Sequence, residues 1–410
     1  MSDGELILRV AAKGDGITAS GIHVPRSAPG DVLRADGTLE PGPHHAQPPC
    51  RHFGPCGGCE LQHLDEESLA GFVTERVVNA ASGQGLDPET IAPLHLSPPR
   101  SRRRATLHAQ RIGKRIVIGF REAGSHRIVD MAECHVLRSE LFVLVAPLRA
   151  MLGKQQGKRL AVDVELALTD QGPDCTVRGL KVEGLEATEA LLDFAKDHGL
   201  ARLTIDQGWG AETMWEPQPV TVSPGGVPVG LPAGAFLQAT LDGEQALIAA
   251  AREWLDGVPA VADLFSGLGT FAFALTGPGT KVLAAEAAQD TYLACKSAAG
   301  RVGTPVHALH RDLFRNPLRA EELNRFGAVL LDPPRAGARD QVQQIAASQV
   351  PRVVYISCNP SSWAKDAAAL VEAGYRLVEL RPVGQFRWST HVELASLFVR
   401  SEDQDVSARA

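Results

Sequence analysis

The chain has 410 residues, a formal net charge of -7 and 44% hydrophobic residues. This length accommodates two or three domains with apolar cores, and the acidic balance excludes a protein that is basic over its whole surface. The N-terminus has no basic segment followed by a long apolar run, and no apolar run approaches the length of about 18 residues that spans a membrane. We therefore expect a cytoplasmic protein that does not enter a membrane.

The first hundred residues combine a small β element with a cysteine cluster. Short apolar runs within 6–32 predict the β element, and a Gly-, Pro- and His-rich linker follows at 34–49. Three of the seven cysteines then lie within ten residues, at Cys50, Cys56 and Cys59. Without an export signal, such a cluster favours metal binding or catalysis over disulfides. A helix is predicted at 64–82, where apolar residues recur at helical spacing.

Alternating apolar residues predict a mainly antiparallel middle domain that reaches about Val229. Its first two strands, 105–110 and 115–120, read as a hairpin, and this part of the chain is strongly basic. Between 100 and 127 a single acidic residue, Glu122, opposes nine basic ones: Arg100, Arg102, Arg103, Arg104, Arg111, Lys114, Arg115, Arg121 and Arg127. By itself this pattern favours a solvated sheet face over an RNA-binding surface.

From Glu244 onward, apolar strands alternate with alanine-rich helices. This alternation is typical of a doubly wound α/β sheet with helices on both faces, whose ligands bind beyond the carboxyl ends of the strands. The predicted strands are 260–264, 281–285, 306–309, 328–331, 352–356 and 376–380, and the predicted helices are 287–299, 339–347 and 362–373.

The ends of the first four of these strands carry a glycine pair and three carboxylates. Gly267 and Gly269 allow a tight turn close to a ligand, and Glu286 is suited to bind the ribose hydroxyls of a nucleoside cofactor. Asp312 and Asp332 follow the next two strands. Helix caps explain single Asp residues, but four such strand ends in succession favour a cofactor site. S-Adenosylmethionine is favoured over a dinucleotide because the three-glycine dinucleotide pattern is incomplete.

The fifth strand leads to Cys358, in the sequence Ser-Cys-Asn-Pro. A cysteine here would lie at the mouth of the ligand crevice beside a helix start, where the dipole favours thiolate, although an isolated cysteine is more often buried and inert. Glu393 opens the last apolar strand, where a soluble protein usually avoids a carboxylate. A thiolate that adds to C6 of uracil activates C5 for methylation, and a desolvated carboxylate can then remove the C5 proton.

With these residues, the chain resembles the bacterial RNA uracil-5 methyltransferases over about 6–399, and in particular the iron-sulfur branch that methylates ribosomal RNA. The resemblance implies that Cys358 is the nucleophile and Glu393 the base. It implies cofactor contacts by Gln238, Phe265, Glu286, Asp312 and Asp332. It also implies a 4Fe-4S cluster on four ligands: Cys50, Cys56, Cys59 and Cys134. Cysteine spacing alone leaves zinc equally open.

The predicted fold is α/β: a C-terminal doubly wound class I S-adenosylmethionine-dependent methyltransferase domain, a mainly antiparallel β middle domain and a short N-terminal β element. The predicted domains are a partial β-barrel-like RNA-binding element (1–40), an iron-sulfur and β-rich central domain (50–235) and a Rossmann-like methyltransferase domain (236–402). The predicted activity is formation of 5-methyluridine in ribosomal RNA by a monomeric enzyme. The alternatives are the same chemistry on tRNA, methylation of cytosine C5 in RNA, and a non-catalytic metal-cluster RNA-binding protein.

Overall fold

The computed structural model describes residues 4–155, 159–277 and 279–401; residues 1–3 and 402 of the predicted domains lie outside these ranges. The first sheet has five short antiparallel strands in the order β3-β2-β1-β4-β5. These strands are β1 (Gly4–Val10), β2 (Gly16–Thr18), β3 (His23–Val24), β4 (Val32–Arg34) and β5 (Leu39–Glu40). The predicted short N-terminal β element is therefore present.

A long helix, α1 (Glu66–Ser82), follows the cysteine cluster. It starts where sequence predicts because the Asp65 side chain accepts a hydrogen bond from the backbone N–H of Ser68 and so satisfies one of the free N–H groups of the first turn. Two short strands come next, β6 (Thr90–Ile91) and β7 (His95–Leu96). Both join the edge of the large C-terminal sheet, so this part of the chain is built into the later fold.

The second sheet has six strands in the order β13-β12-β11-β10-β8-β9. Its elements are β8 (Arg104–Ile112), β9 (Arg115–Gly119), α2 (Ser139–Phe142), α3 (Val145–Lys154), β10 (Ala161–Thr169), β11 (Gly172–Arg178), α4 (Leu185–Asp197), β12 (Arg202–Asp206) and β13 (Ala211–Trp215). β8 and β9 confirm the predicted hairpin, and β11 with β12 is a parallel pair within an otherwise antiparallel sheet. One face packs on an apolar core that includes Leu148 of α3 and Leu191 of α4.

The third sheet contains the predicted doubly wound unit, and its strand order is β18-β17-β16-β19-β20-β22-β21-β6. A hairpin of β14 (Thr221–Val222) and β15 (Val229–Gly230), which encloses a 3-10 turn at Pro224–Gly226, and the helix α5 (Leu241–Trp254) precede it. The remaining elements are β16 (Ala260–Leu264), α6 (Thr270–Leu275), β17 (Lys281–Glu286), α7 (Gln289–Val302), β18 (Val306–His310), α8 (Ala320–Leu323), β19 (Ala328–Leu331), α9 (Arg339–Ala347), β20 (Arg352–Ser357), α10 (Pro360–Glu372), β21 (Tyr375–Gly384) and β22 (Glu393–Arg400).

Apolar cores lie on both faces of this sheet, which confirms the doubly wound prediction. Trp363 of α10 and Ile345 of α9 pack in one core, while Trp254 of α5 and Phe271 of α6 pack in the other. The strand β21 runs four residues beyond its predicted end because its pairing with β22 and β7 continues to Gly384. Among the described residues, no helix has the length and apolar character that a membrane crossing requires.

Candidate active site

The carboxyl ends of five parallel strands line one edge of the third sheet. In sheet order from β18 to β20, these ends lead to Asp312, Glu286, the loop of Gly267 and Gly269, Asp332 and Cys358. Parallel strands with right-handed crossovers bring their carboxyl ends together, so positions far apart in sequence become neighbours.

The loop between β16 and α6 turns through unusual backbone conformations. Phe265, Gly267 and Gly269 have φ values of 63°, 55° and 85°. A Cβ at Gly269 would lie 2.9 Å from the sulfur of Cys295 and 2.9 Å from the Phe273 ring, so this glycine allows the loop to pack against the protein interior. A Cβ at Gly267 would meet no atom within 4 Å, which leaves space on that side of the loop.

Two of the predicted carboxylates stabilise the loops beside this turn. Glu286 accepts a hydrogen bond from the backbone N–H of Gly267 at 2.9 Å, and its second oxygen accepts one from the backbone two residues onward at 2.7 Å. Asp312 accepts from the backbone N–H of Phe314 at 3.0 Å. The Phe314 ring in turn lies 5.3 Å from the Phe265 ring, centroid to centroid. Phe265, Glu286 and Asp312 therefore form one connected edge.

A chain of side-chain amides connects this edge with the last two strands. Gln238, buried just before α5, donates to Asp332 at 3.2 Å and accepts from Gln385 at 2.8 Å. The oxygen of Gln385 accepts from the backbone N–H of Thr240 at 3.3 Å. The Gln385 side chain also acts to lower the pKa of Glu393, against the larger effect of burial. The two amides thus connect Asp332 to the surroundings of Glu393.

Cys358 and Glu393 come together at the end of the antiparallel pair of β20 and β22. The last residues in register are Ser357 and Leu394, so Cys358 and Glu393 are the next residues along the two strands. Glu393 is only 3% exposed, and its Oε2 has no hydrogen-bond partner among the described residues. Burial raises the pKa of Glu393 to about 7, while Gln385 and Arg104 act to lower it. A carboxyl with this pKa can accept a proton near neutral pH.

The protonation of Cys358 differs from the sequence prediction. Burial raises the pKa of its thiol, and the nearby carboxyls of Glu393 and Asp332 raise it further. Arg335 acts in the opposite direction but does not overcome these effects. The predicted stabilisation of thiolate by the start of α10 is therefore wrong for the resting site, because burial and two neighbouring carboxyls outweigh it.

Two further carboxyls lie near the catalytic pair, the half-buried Asp332 and the fully buried Asp263. Burial raises the pKa of Asp332 well above its usual value, and the charges of Glu393 and Asp263 add to this effect. Burial raises the pKa of Asp263 to about 7, although this carboxyl accepts a hydrogen bond from the backbone of Ala272 at 2.9 Å. Its Oδ1 and the hydroxyl of Ser266 have no hydrogen-bond partner in the described parts of the chain. Buried polar atoms of this kind are available to a ligand.

Four free cysteines line a second cavity, next to the hairpin of β8 and β9. They are Cys50, Cys56, Cys59 and Cys134. A Cβ at Gly58 would lie 3.1 Å from the Phe120 ring and 3.5 Å from the Cys56 sulfur, so the missing side chain contributes to the cavity. The fold thus brings the distant Cys134 to the three clustered cysteines. The other two cysteines, Cys175 and Cys295, are buried in apolar cores.

Comparison with known proteins identifies the family. Residues 308–401 match the family model described as tRNA (uracil-5-)-methyltransferase. The chain is similar to an RNA methyltransferase of Zymomonas mobilis, with 49% identity over 96% of this chain and 99% of that protein. It is 32% identical to the 23S rRNA (uracil(1939)-C(5))-methyltransferase RlmD of Photorhabdus laumondii, over 88% of this chain and 84% of that protein. The chain belongs to the RNA (uracil-5) methyltransferase family.

The fold of this RNA methyltransferase is also found in a solved structure. The crystal structure of Pyrococcus abyssi tRNA (uracil-54, C5)-methyltransferase in complex with S-adenosyl-L-homocysteine superimposes with a TM-score of 0.73. The alignment covers 97% of this chain and 100% of that one, at 20% sequence identity. The predicted S-adenosylmethionine-dependent methyltransferase fold is therefore confirmed, and membership of an enzyme family excludes the non-catalytic alternative.

Sequence reasoning missed three residues at the catalytic pair of this methyltransferase: Arg104, Arg335 and Gln385. The charges of Arg104 and Arg335 both lower the pKa of Glu393. The Arg104 guanidinium also lies 4.5 Å from the centre of the Phe236 ring. Gln385 could have been noticed only from its position directly after β21, the strand that pairs with β22. Arg104 is one of several arginines in a basic segment, so the sequence did not distinguish it from its neighbours.

The three consecutive arginines of that basic run, at 102–104, are not exposed on the surface of this methyltransferase. Arg103 is buried and donates to Glu244 and to the backbone oxygen of Gln238. The Arg102 guanidinium lies between the rings of Phe120 and Phe386. Arg102 and Arg103 therefore do not belong to an open RNA-binding surface, because their side chains are occupied by contacts within the protein.

Proposed function

We propose that this methyltransferase forms 5-methyluridine in RNA by covalent catalysis, with Cys358 as the nucleophile and Glu393 as the base. One observation carries the proposal: the thiol and the carboxyl adjoin each other at the ends of β20 and β22, close to the carboxyl of Asp332, to which Gln238 donates a hydrogen bond. A uracil ring at the mouth of this site would meet sulfur at C6 and a carboxylate at C5.

The first step is addition of sulfur to the ring. The half-exposed thiol of Cys358 loses its proton to solvent, and the thiolate forms a bond to C6 of uracil. The ring electrons move to O4, which gives an enolate with nucleophilic character at C5. The guanidinium groups of Arg104 and Arg335 supply positive charge near the sulfur and the carboxyl, which favours both the thiolate and the enolate.

The second half of the reaction releases the product. S-Adenosylmethionine, when bound, would supply the methyl group: as C5 bonds to the methyl carbon, the bond from that carbon to the sulfonium sulfur would break and S-adenosylhomocysteine would be left. Glu393 then takes the C5 proton, the C5–C6 double bond forms again and the bond from C6 to the Cys358 sulfur breaks. Glu393 returns its proton to solvent. Because a carboxylate is required, the raised pKa of Glu393 of about 7 means that this step gains speed up to and slightly above neutral pH.

The edge of the third sheet fits the methyl donor. Gln238, Phe265, Glu286, Asp312 and Asp332 would hold it. The free space beside Gly267 and the hydroxyl of Ser266, which has no hydrogen-bond partner among the described residues, support this assignment. Both residues belong to the loop where a nucleoside cofactor binds in doubly wound folds. Glu286 and Asp312 are already oriented by backbone hydrogen bonds, so little ordering would accompany binding.

For the cysteine cavity we infer a 4Fe-4S cluster held by Cys50, Cys56, Cys59 and Cys134. Thiolates suit both a cluster and zinc, but the distances between the four sulfur atoms in the structure favour the cluster. Among the described residues, the potential metal ligands whose donor atoms all lie within 4.8 Å of one another are His44, Asp65 and Glu67. No three of the four cysteine sulfurs lie this close together. A tetrahedral zinc site would need sulfur atoms roughly 3.8 Å apart, from a Zn–S distance of about 2.3 Å.

The substrate RNA is inferred to be ribosomal. The relative named as a 23S rRNA methyltransferase aligns over 88% of this chain, whereas the tRNA family model matches 308–401 only. The predicted units 1–40 and 50–235 would contact this RNA, through exposed basic residues such as Lys114 and Arg121. Methylation of tRNA is the second candidate. The cytosine alternative is disfavoured because the loop after β19 carries Asp332, not a nucleophilic cysteine.

Trapping with 5-fluorouracil-substituted RNA tests the proposed chemistry. Fluorine at C5 cannot leave as a proton, so the methylated adduct between sulfur and C6 should persist in denaturant. We expect the wild-type protein and Cys175→Ala to form this adduct with labelled S-adenosylmethionine, and Cys358→Ala to form none. An adduct of undiminished yield in Cys358→Ala would remove Cys358 as the nucleophile.

Metal analysis tests the cysteine site. Protein purified without oxygen should be brown and contain iron and acid-labile sulfide, and Cys134→Ser should lose both while Cys175→Ser keeps them. Colourless wild-type protein with stoichiometric zinc would refute the cluster.

A further inference from the structure

The Arg102 side chain lies between the four-cysteine site and the catalytic pair. Its guanidinium carbon is 6.0 Å from the centre of the Phe120 ring and 5.8 Å from that of the Phe386 ring. Phe120 lines the cysteine cavity, and Phe386 directly follows Gln385, whose side chain acts to lower the pKa of Glu393. Through cation–π contacts, the planar guanidinium of Arg102 thus contacts Phe120 at the four-cysteine site and Phe386 beside the catalytic pair.

Hydrogen bonds also connect Arg102 to the segment that contains Cys134 and to Arg104. The N–H of Arg102 donates to Val136 at 2.9 Å, and its carbonyl accepts from Arg138 at 2.9 Å, so the segment that contains Cys134 pairs with it. The Nε of Arg102 donates to the carbonyl of Arg104 at 3.1 Å. Like Arg335, Arg104 has a charge that acts on both catalytic groups.

A second link runs from the cysteine loop to the loop before β22. The carbonyl of Trp388 accepts hydrogen bonds from the N–H groups of Glu60 and Leu61, at 2.8 and 2.9 Å. Trp388 adopts a φ of 62°, a conformation that costs a non-glycine residue energy and persists only where its surroundings hold it. The residues next to Cys59 therefore hold the loop that leads to Glu393.

The charge of Arg102 requires a counter-charge, because burial of a guanidinium is costly. Cys59, Cys134 and Glu60 are the acidic groups whose charge acts against this effect of burial on Arg102. Burial raises the pKa of both thiols, so the two sulfurs would carry negative charge as ligands of a bound metal site. A 4Fe-4S cluster with four thiolate ligands would bring more negative charge to the same cavity.

We propose that Arg102 is a positioning residue that couples the four-cysteine site to the catalytic pair. The anionic cluster holds the guanidinium, and the guanidinium holds Phe386 and the carbonyl of Arg104, so that Gln385 and the Arg104 side chain stay in place at Glu393 and Cys358. This inference rests on the proposed function, since it assigns Arg102 a role in forming the covalent adduct.

The test compares Arg102→Gln, Arg102→Lys and the control Arg325→Gln, which alters an exposed arginine after α8. Each holoprotein is assayed for iron, sulfide, the reduction potential of the cluster, and the rate and RNA concentration dependence of adduct formation with 5-fluorouracil-substituted RNA. We expect Arg102→Gln to retain iron, to have a lower reduction potential because a nearby positive charge is lost, and to form adduct on the order of tenfold to a hundredfold more slowly. Its dependence on RNA concentration should change little.

The lysine variant separates charge from geometry. It keeps the positive charge but loses the planar contact between two rings, so we expect a potential near that of the wild type and slow adduct formation. Iron-loaded Arg102 variants with the wild-type rate, or a slow Arg102→Gln with an unchanged potential, would overturn the coupling. If the glutamine variant does not fold, the rate of the lysine variant decides alone. Failure of the wild-type protein to form adduct would instead refute the proposed function.

Discussion

The guanidinium of Arg103 forms a buried ion pair with the carboxylate of Glu244, 141 residues away in sequence. Arg103 also donates to the backbone carbonyl of Gln238 at 3.1 Å. The pair therefore joins the start of the second sheet to α5 and to the loop that contains Gln238. Arg103 is therefore not part of a basic surface but a buried residue that holds the loop of Gln238 at the active site.

Replacement of Arg103 by Met should destabilise the protein by roughly 3 to 5 kcal/mol, because Glu244 would be left as a buried charge without its partner. Arg115→Met, at an ion pair whose arginine is 81% exposed, should cost about 1 kcal/mol or less. Urea unfolding of both variants measures the difference. Equal midpoints for the two variants would contradict the burial of the Arg103 pair.

Replacement of Glu393 by Gln should stop the reaction after methyl transfer. The glutamine keeps the volume of the side chain but cannot accept the C5 proton, so a methylated adduct with ordinary uracil RNA should accumulate while turnover falls roughly 100-fold to 10,000-fold. Gel analysis with labelled methyl donor in denaturant detects the adduct. Glu372→Gln, at an exposed position at the end of α10, is the matched control and should turn over normally. Free methylated RNA at the wild-type rate from Glu393→Gln would exclude Glu393 as the base.

Replacement of Asp263 by Asn should change how stability depends on pH. Burial raises the pKa of Asp263 from 3.8 to about 7, so between these values the folded protein binds more protons than the unfolded chain. Its contribution to stability is therefore present below about 3.8 and is lost as the pH rises through about 7. The asparagine variant should be more stable than the wild type at pH 8 by roughly 1 to 4 kcal/mol, and this gain should shrink towards acid pH. Denaturant titrations across the range measure it; a gain that is independent of pH would refute the shift.

Charge reversal at Lys114 and Arg121 should weaken RNA binding and reduce its salt dependence. Both side chains are exposed near the hairpin of β8 and β9, unlike the arginines at 102–104. If each contacts a phosphate, the slope of log affinity against log salt should fall by about 1 per residue. Filter binding over a salt series measures the slope, with Arg325→Glu as the control on the third sheet. An unchanged slope would show that these two residues are solvent-exposed charges that do not contact RNA phosphates.

Local patterns in the sequence determined the elements of the third sheet and the order of its ligand-type residues. Strands such as Ala260–Leu264 and Ala328–Leu331 matched their predicted bounds, because a short apolar run between turns is a property of neighbouring residues. The same periodicity implies that the loops after successive parallel strands meet at one edge, so the position of Glu286 and Asp332 at that edge follows from the sequence alone. The roles of these residues, and the domain limits at 40, 50 and 235, stay predictions.

Only the tertiary structure decided which distant groups share an environment. The burial of Arg103, the approach of Gln385 to Gln238 and the position of Cys134 depend on contacts between segments far apart in the chain, which no local period encodes. The raised pKa of Cys358 likewise results from burial together with the charges of neighbouring carboxyls. Their combined effect outweighs the stabilisation of thiolate by the helix start that the sequence predicted. Periodicity thus determined the framework, whereas desolvation and long-range charge determined the chemistry that the framework supports.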